Sequence, residues 1–98
     1  MLKIKIHEYA SFEFEEAIQW YEFQADGLGK RFKQTVIKQF NAVKENPSWY
    51  PQESKGIYKA YIPTFPYKVL FTFNAIHITI WAVCHLHRKP RYWESRIR

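Results

Sequence analysis

The stretch Tyr67-Lys68-Val69-Leu70-Phe71-Thr72-Phe73-Asn74-Ala75-Ile76-His77-Ile78-Thr79-Ile80-Trp81-Ala82-Val83-Cys84 decides the fold. Two runs rich in β-branched and aromatic residues flank Asn74-Ala75, which predicts strands over 67–73 and 76–84 joined as a hairpin. A two-residue loop sets Phe73 opposite Ile76, Phe71 opposite Ile78, Val69 opposite Ile80 and Tyr67 opposite Ala82, an apolar face throughout. The other face then pairs Thr72 with His77, Leu70 with Thr79 and Lys68 with Trp81. A one-residue slip destroys this agreement, although Ala75 is not an ideal residue for so tight a turn. The polar interruptions also break the stretch as a membrane span.

Working outward, residues 57–62 predict a third strand, preceded by a loop over 47–56 rich in Pro, Ser and Gly. Leu28, Phe32, Val36, Phe40 and Val43 fall at helical spacing, and Asn46-Pro47 ends that helix near Glu45. Phe14, Ala17, Ile18, Tyr21 and Ala25 mark an earlier helix, with Ser11 as N-cap, Glu13, Glu15 and Glu16 in the positive field of its start, and Gly27 and Gly29 as its stop. Residues 2–7 alternate as a half-exposed strand. The order is βααβββ, an α+β class: one domain over 1–98, with a helical hairpin packed on one face of a small, mainly antiparallel sheet. The opposite face, carrying Lys68 and Trp81, is expected to stay partly open, and strand parity adds His85 to it. A single cysteine, Cys84, within an apolar strand reads as a buried structural thiol, and with no export signal the expected location is cytoplasmic.

Charge is unevenly spread. Residues 1–26 hold six acids against Lys3 and Lys5, whereas residues 55–98 hold eight bases against Glu94 alone. Such a field favours an anionic partner. Basic and aromatic residues interleave in the tail, a pattern suited to a phosphate backbone with stacked bases, and equally to an acidic protein. Lys55, Lys59, Trp81, Lys89, Arg91 and Arg96 are the candidate target contacts. No acid or cysteine stands at ligand spacing from His85 and His87, so neither a metal site nor any cofactor is expected, and a Gly-rich phosphate loop or Ser/His/Asp triad is lacking. Metal-independent RNA cleavage remains: Lys68 and Arg88 can hold a phosphate, His85 or His87 can move protons, and Tyr92 can stack or donate a proton. Each has a structural alternative: a solvated strand lysine, a hydrogen-bonded histidine, and a latch in which Tyr92 and Trp93 dock the tail on the domain.

The segments Trp20-Tyr21-Glu22, Asn46-Pro47…Tyr50-Pro51, Phe65-Pro66-Tyr67-Lys68-Val69 and Ala82-Val83…His85…Arg88…Pro90…Trp93 resemble the RelE/ParE superfamily of type II toxin–antitoxin toxins, often labelled plasmid stabilisation proteins. The resemblance runs nearly end to end and implies a growth-inhibiting toxin neutralised by a cognate antitoxin, with which it forms a hetero-oligomer. RelE-like members are mRNA interferases that cleave mRNA on the ribosome; ParE-like members inhibit DNA gyrase and are not nucleases. By position, Lys68 falls where the nucleases have a phosphate-binding arginine, Arg88 and Tyr92 near their C-terminal catalytic segment, and His87 near a C-terminal histidine of the YoeB-like branch. Two basic pairs common in relatives are replaced, by Tyr58-Lys59 and by Pro63-Thr64, which thins the cationic surface and places the pattern closer to the ParE-like or unassigned plasmid-stabilisation group. The resemblance thus leaves endoribonuclease and gyrase inhibitor open. A third reading is a non-catalytic module that binds nucleic acid only with its antitoxin, as co-repressor.

Overall fold

The computed structural model of the chain describes residues 2–97. The N-terminal alternation yields β1 (Lys3–Ile6), which runs straight into α1 (Glu8–Gln24). His7 is the N-cap: its Nδ1 accepts from the Tyr9 N–H at 3.1 Å. The helix therefore begins a turn ahead of the predicted Ser11 cap, whose own N–H already bonds the His7 carbonyl at 2.9 Å. A histidine nitrogen does here what a serine oxygen usually does.

Ala10, Phe14, Ala17 and Tyr21 form the buried stripe of α1. The chain then turns at Gly27, in the left-handed region at φ 83°, into α2 (Leu28–Glu45). No side chain of the turn caps α2. Instead Glu22, reaching across from α1, accepts from the Gly27 and Gly29 N–H groups at 2.9 and 3.0 Å. A β-carbon at residue 29 would sit 2.4 Å from the Ile18 carbonyl oxygen, so the helices cross this closely only because residue 29 is glycine.

After a 3-10 turn (Pro47–Trp49) come β2 (Gln52–Ser54), β3 (Ile57–Tyr61), β4 (Tyr67–Phe73), β5 (His77–His85) and a short α3 (Glu94–Ile97). The sheet order is β1-β5-β4-β3-β2, antiparallel except that β1 lies parallel to β5. The predicted loop over 47–56 thus contains a small edge strand, which forms a hairpin with β3 closed at Gly56. No helix among the described residues is long and apolar enough to cross a membrane.

The β4–β5 register differs from the predicted one in two ways. Near the turn it slides by two residues: Phe73 faces Ile78, Thr72 faces Thr79 and Phe71 faces Ile80. Ala75 cannot easily supply the backbone of a two-residue turn, and Asn74 closes a wider one, its Oδ1 accepting from the Ile76 and His77 N–H groups at 2.8 Å each. A slide of two keeps every side chain on its face. A bulge follows, in which Trp81 has no residue opposite it, and Leu70 then faces Ala82, Val69 faces Val83, Lys68 faces Cys84 and Tyr67 faces His85.

The extra residue exchanges faces for the rest of β5. Val83 turns to the helices, and Ala82 and Cys84 turn away from them. His85 consequently lies on the helix side, its ring centroid 5.1 Å from that of Tyr67, and does not share a face with Lys68 and Trp81 as strand parity predicted. The helix-side core is built around Phe32, fully buried, whose ring centroid lies 5.0–6.1 Å from those of Phe14, Tyr21, Phe65 and Tyr67. The opposite face is not left open either. Trp93, 3% exposed, packs there on Leu70, Ala82 and Cys84, with Ile57, Tyr92 and Ile97 around it.

Candidate functional site

Strand β1 stops opposite Ile80, so beyond that point β5 has a free edge. Glu13, one turn into α1, reaches that edge, and its Oε1 accepts from the Val83 N–H at 3.1 Å. From the tail, Arg96 donates Nη1 to the Trp81 carbonyl at 3.0 Å, and both its terminal nitrogens to the Glu13 carboxylate at 2.9 and 3.0 Å. A carboxylate and a guanidinium thus satisfy the backbone groups that a neighbouring strand would otherwise pair. The Tyr92 hydroxyl donates to Glu13 Oε2 at 2.7 Å, and Arg88 lies 3.9 Å from the same oxygen with its guanidinium 4.1 Å from the Tyr92 ring centre. Burial, and then the hydrogen bond donated to Glu13, push the Tyr92 phenol well above its ordinary range.

This clasp redistributes the predicted site residues. Tyr92 is a neutral donor committed to Glu13, and Arg96, expected to contact a target, is instead half of a near-buried ion pair with side chains 9% and 11% exposed. Lys68 is on the far face, 2.9 Å from Glu53 Oε1, and Lys59 is 3.7 Å from the same oxygen. Trp81 donates its indole N–H to Thr72 at 2.9 Å. Lys55 and Lys89 are exposed, and Arg91, in the left-handed region at φ 64°, is 3.7 Å from Glu94. Burial raises the Cys84 thiol to about 11, in keeping with a structural role under the tail.

His85 and Arg88 are brought together. Both line a groove of about 600 Å³ between α1 and the ends of β4 and β5, with Glu13, Glu16, Trp20 and Tyr67 among its other walls. His85 Nδ1 accepts from the His87 N–H at 3.1 Å, so the neutral ring carries its proton on Nε2. Burial raises the Tyr67 phenol above its ordinary value. The groove can bind a side chain or a base by stacking and hydrogen bonding. Its carboxylates oppose a phosphate, and the cation on Lys68 lies across the sheet from it.

Sequence reading missed Glu13, taking it only as one of three acids suited to a helix start. Its partners lie about 70–83 residues away in the chain, so no local pattern marks it.

No protein-family model matches the sequence, and no curated protein matches it. Solved structures do resemble it. A chain of the chromosomal ParDE toxin–antitoxin system from P. aeruginosa superposes with a TM-score of 0.75 at 15% identity, over 89% of this chain and 98% of that one. The isolated E. coli RelE toxin gives 0.67 at 17%, over 100% of both chains. YoeB from Staphylococcus aureus, solved as a dimer, gives 0.60 at 20%, over 89% and 98%. The chain therefore has the RelE/ParE fold, with two helices on a five-stranded, mostly antiparallel sheet.

Proposed function

We propose that this chain is the toxin of a bacterial type II toxin–antitoxin pair, neutralised in the cytoplasm by a cognate antitoxin, and that it arrests growth without cutting RNA. Its target is then a protein, and DNA gyrase is the one the family resemblance offers. Near-full-length likeness to ParDE, RelE and YoeB chains supports the toxin role. The observation that carries the second half is the clasp. Tyr92 is committed to Glu13 and Lys68 to Glu53, so the phenol and one of the two cations that a phosphorane would need are already neutralised within the fold.

RNA cleavage is the second reading, favoured by one feature: Arg88, with its side chain 56% exposed, and His85 line the same groove. Expressing the chain alone in a bacterium separates the cases. The expected result is arrest, with loss of plasmid supercoiling and intact transcripts. Codon-linked cuts in mRNA with normal supercoiling would transfer the function to Arg88 and His85. Continued growth at confirmed soluble expression would remove the toxin role. If the antitoxin complex then held operator DNA more tightly than antitoxin alone, the chain would be a co-repressor.

A further inference from the structure

Helix α1 has two apolar stripes. One, Ala10, Phe14, Ala17 and Tyr21, is buried against α2 and the sheet. The other lies on the solvent side. Phe12, Glu16, Trp20 and Phe23 follow one another at spacings of four, four and three residues, which at 3.6 residues per turn puts them in a single line. Phe12 is 63%, Trp20 57% and Phe23 88% exposed. Single exposed aromatics are ordinary on a soluble protein, but here three stand in one line over three turns, about 16 Å, with Glu16 set between Phe12 and Trp20. Trp20 and Glu16 also wall the groove beside Tyr67 and His85, so the stripe and the groove form one surface.

Charge selects the occupant. Glu16 stands within the stripe and Glu8 and Glu15 beside it, and none of the three has an ion-pair partner among the described residues. The other groove carboxylate, Glu13, is already held by Arg96, and Arg88 is drawn to Tyr92 and Glu13. An indole and a tyrosine ring beside an unpaired carboxylate suit an ammonium or guanidinium, by cation–π contact and charge together.

We infer that the solvent face of α1 is a docking surface for a cationic amphipathic segment of a partner protein, its apolar side on Phe12, Trp20 and Phe23 and a Lys or Arg in the groove beside Glu16. This inference does not depend on growth arrest. It can be tested with two labelled helical peptides that share an apolar stripe of Leu and differ only in flanking charge, one with Arg and one with Glu, titrated with the full chain by fluorescence anisotropy. The Arg peptide should bind at least about tenfold more tightly than the Glu peptide, and Glu16→Lys should reverse that order. Phe23→Ser should weaken both, with the far-ultraviolet circular dichroism and melting temperature of each variant unchanged. Equal affinity for the two peptides, no binding by either, or an order indifferent to Glu16→Lys would overturn the inference. So would a dimer in sedimentation that Phe23→Ser dissolves, since a second copy would then be the occupant.

Discussion

The two faces of the sheet are covered by different means. On the helix side, two long helices lay a largely aromatic core on Val69, Phe71, Ile78 and Ile80, and among the described residues no charged side chain is buried in it. On the tail side, a dozen residues after His85 cover a small patch of Leu70, Ala82 and Cys84 with one tryptophan, and a carboxylate reached from α1 ties them down. The first cover rests on area removed from water, which is proportional and spread over many residues. The second rests on a few directional bonds to one group and is as strong as that group. Removing a single side chain should therefore act globally on one face and locally on the other.

The largest effect is expected at Phe32, which is fully buried at the centre of the helix-side core. Phe32→Ala should cost about 4 kcal/mol, as a cavity at the meeting point of four other rings. Urea denaturation should show one cooperative transition at a much lower midpoint with every probe. A loss under about 1 kcal/mol would mean that the core collapses around the gap and is less interlocked than its geometry implies.

Glu13→Ala comes next, at about 3 kcal/mol, because it strands the near-buried Arg96 guanidinium and leaves the Val83 N–H without its partner. Here the damage should be confined. Amide exchange should speed at Val83 and through α3, while Phe32 and its neighbours stay protected. Cys84, 3% exposed beneath Trp93, gives a second readout: its thiol should resist a disulfide reagent in the wild type and react readily in the variant. Unchanged thiol reactivity would show that Trp93 holds the tail without the clasp.

The same contrast explains what could be read in the chain. Helix-side elements are written locally: 3.6-residue spacing at Phe32, Val36, Phe40 and Val43 gives α2 to the residue, and strand alternation gives β4 and β5. Local pattern fails where a single extra residue changes parity. Nothing in the run Thr79-Ile80-Trp81-Ala82-Val83 distinguishes a bulge from a regular strand, because every residue in it is acceptable on either face. That bulge carried His85 away from Lys68 and dispersed the predicted site. The clasp is less legible still: Glu13, Tyr92 and Arg96 meet only after the fold has formed, and composition shows no more than a charge asymmetry between the two ends of the chain. That asymmetry is spent in part inside the molecule, since Arg96 and Arg88 from the basic end gather on Glu13 from the acidic end.

The smallest effect is expected at Tyr92, and its sign depends on pH. Tyr92→Phe keeps the ring under Arg88 and deletes one hydrogen bond to a charged acceptor, a cost of about 1.5 kcal/mol at neutral pH. The folded-state phenol titrates above its unfolded value of 10.0, so the folded chain holds this proton more tightly than the unfolded chain does. The stability it contributes is fully present below pH 10 and is lost as pH rises above it, by about 1.4 kcal/mol for each further pH unit. Cys84, raised from 9.0 to about 11, adds a loss between those two values in both proteins. Denaturant midpoints measured from pH 7 to 12 should therefore fall less steeply for Tyr92→Phe than for the wild type, and the two curves should cross above pH 10. Parallel curves would mean that the phenol is not held by Glu13 in solution. The tail face would then rest on Trp93 and its apolar neighbours, and would differ from the helix face in size rather than in kind.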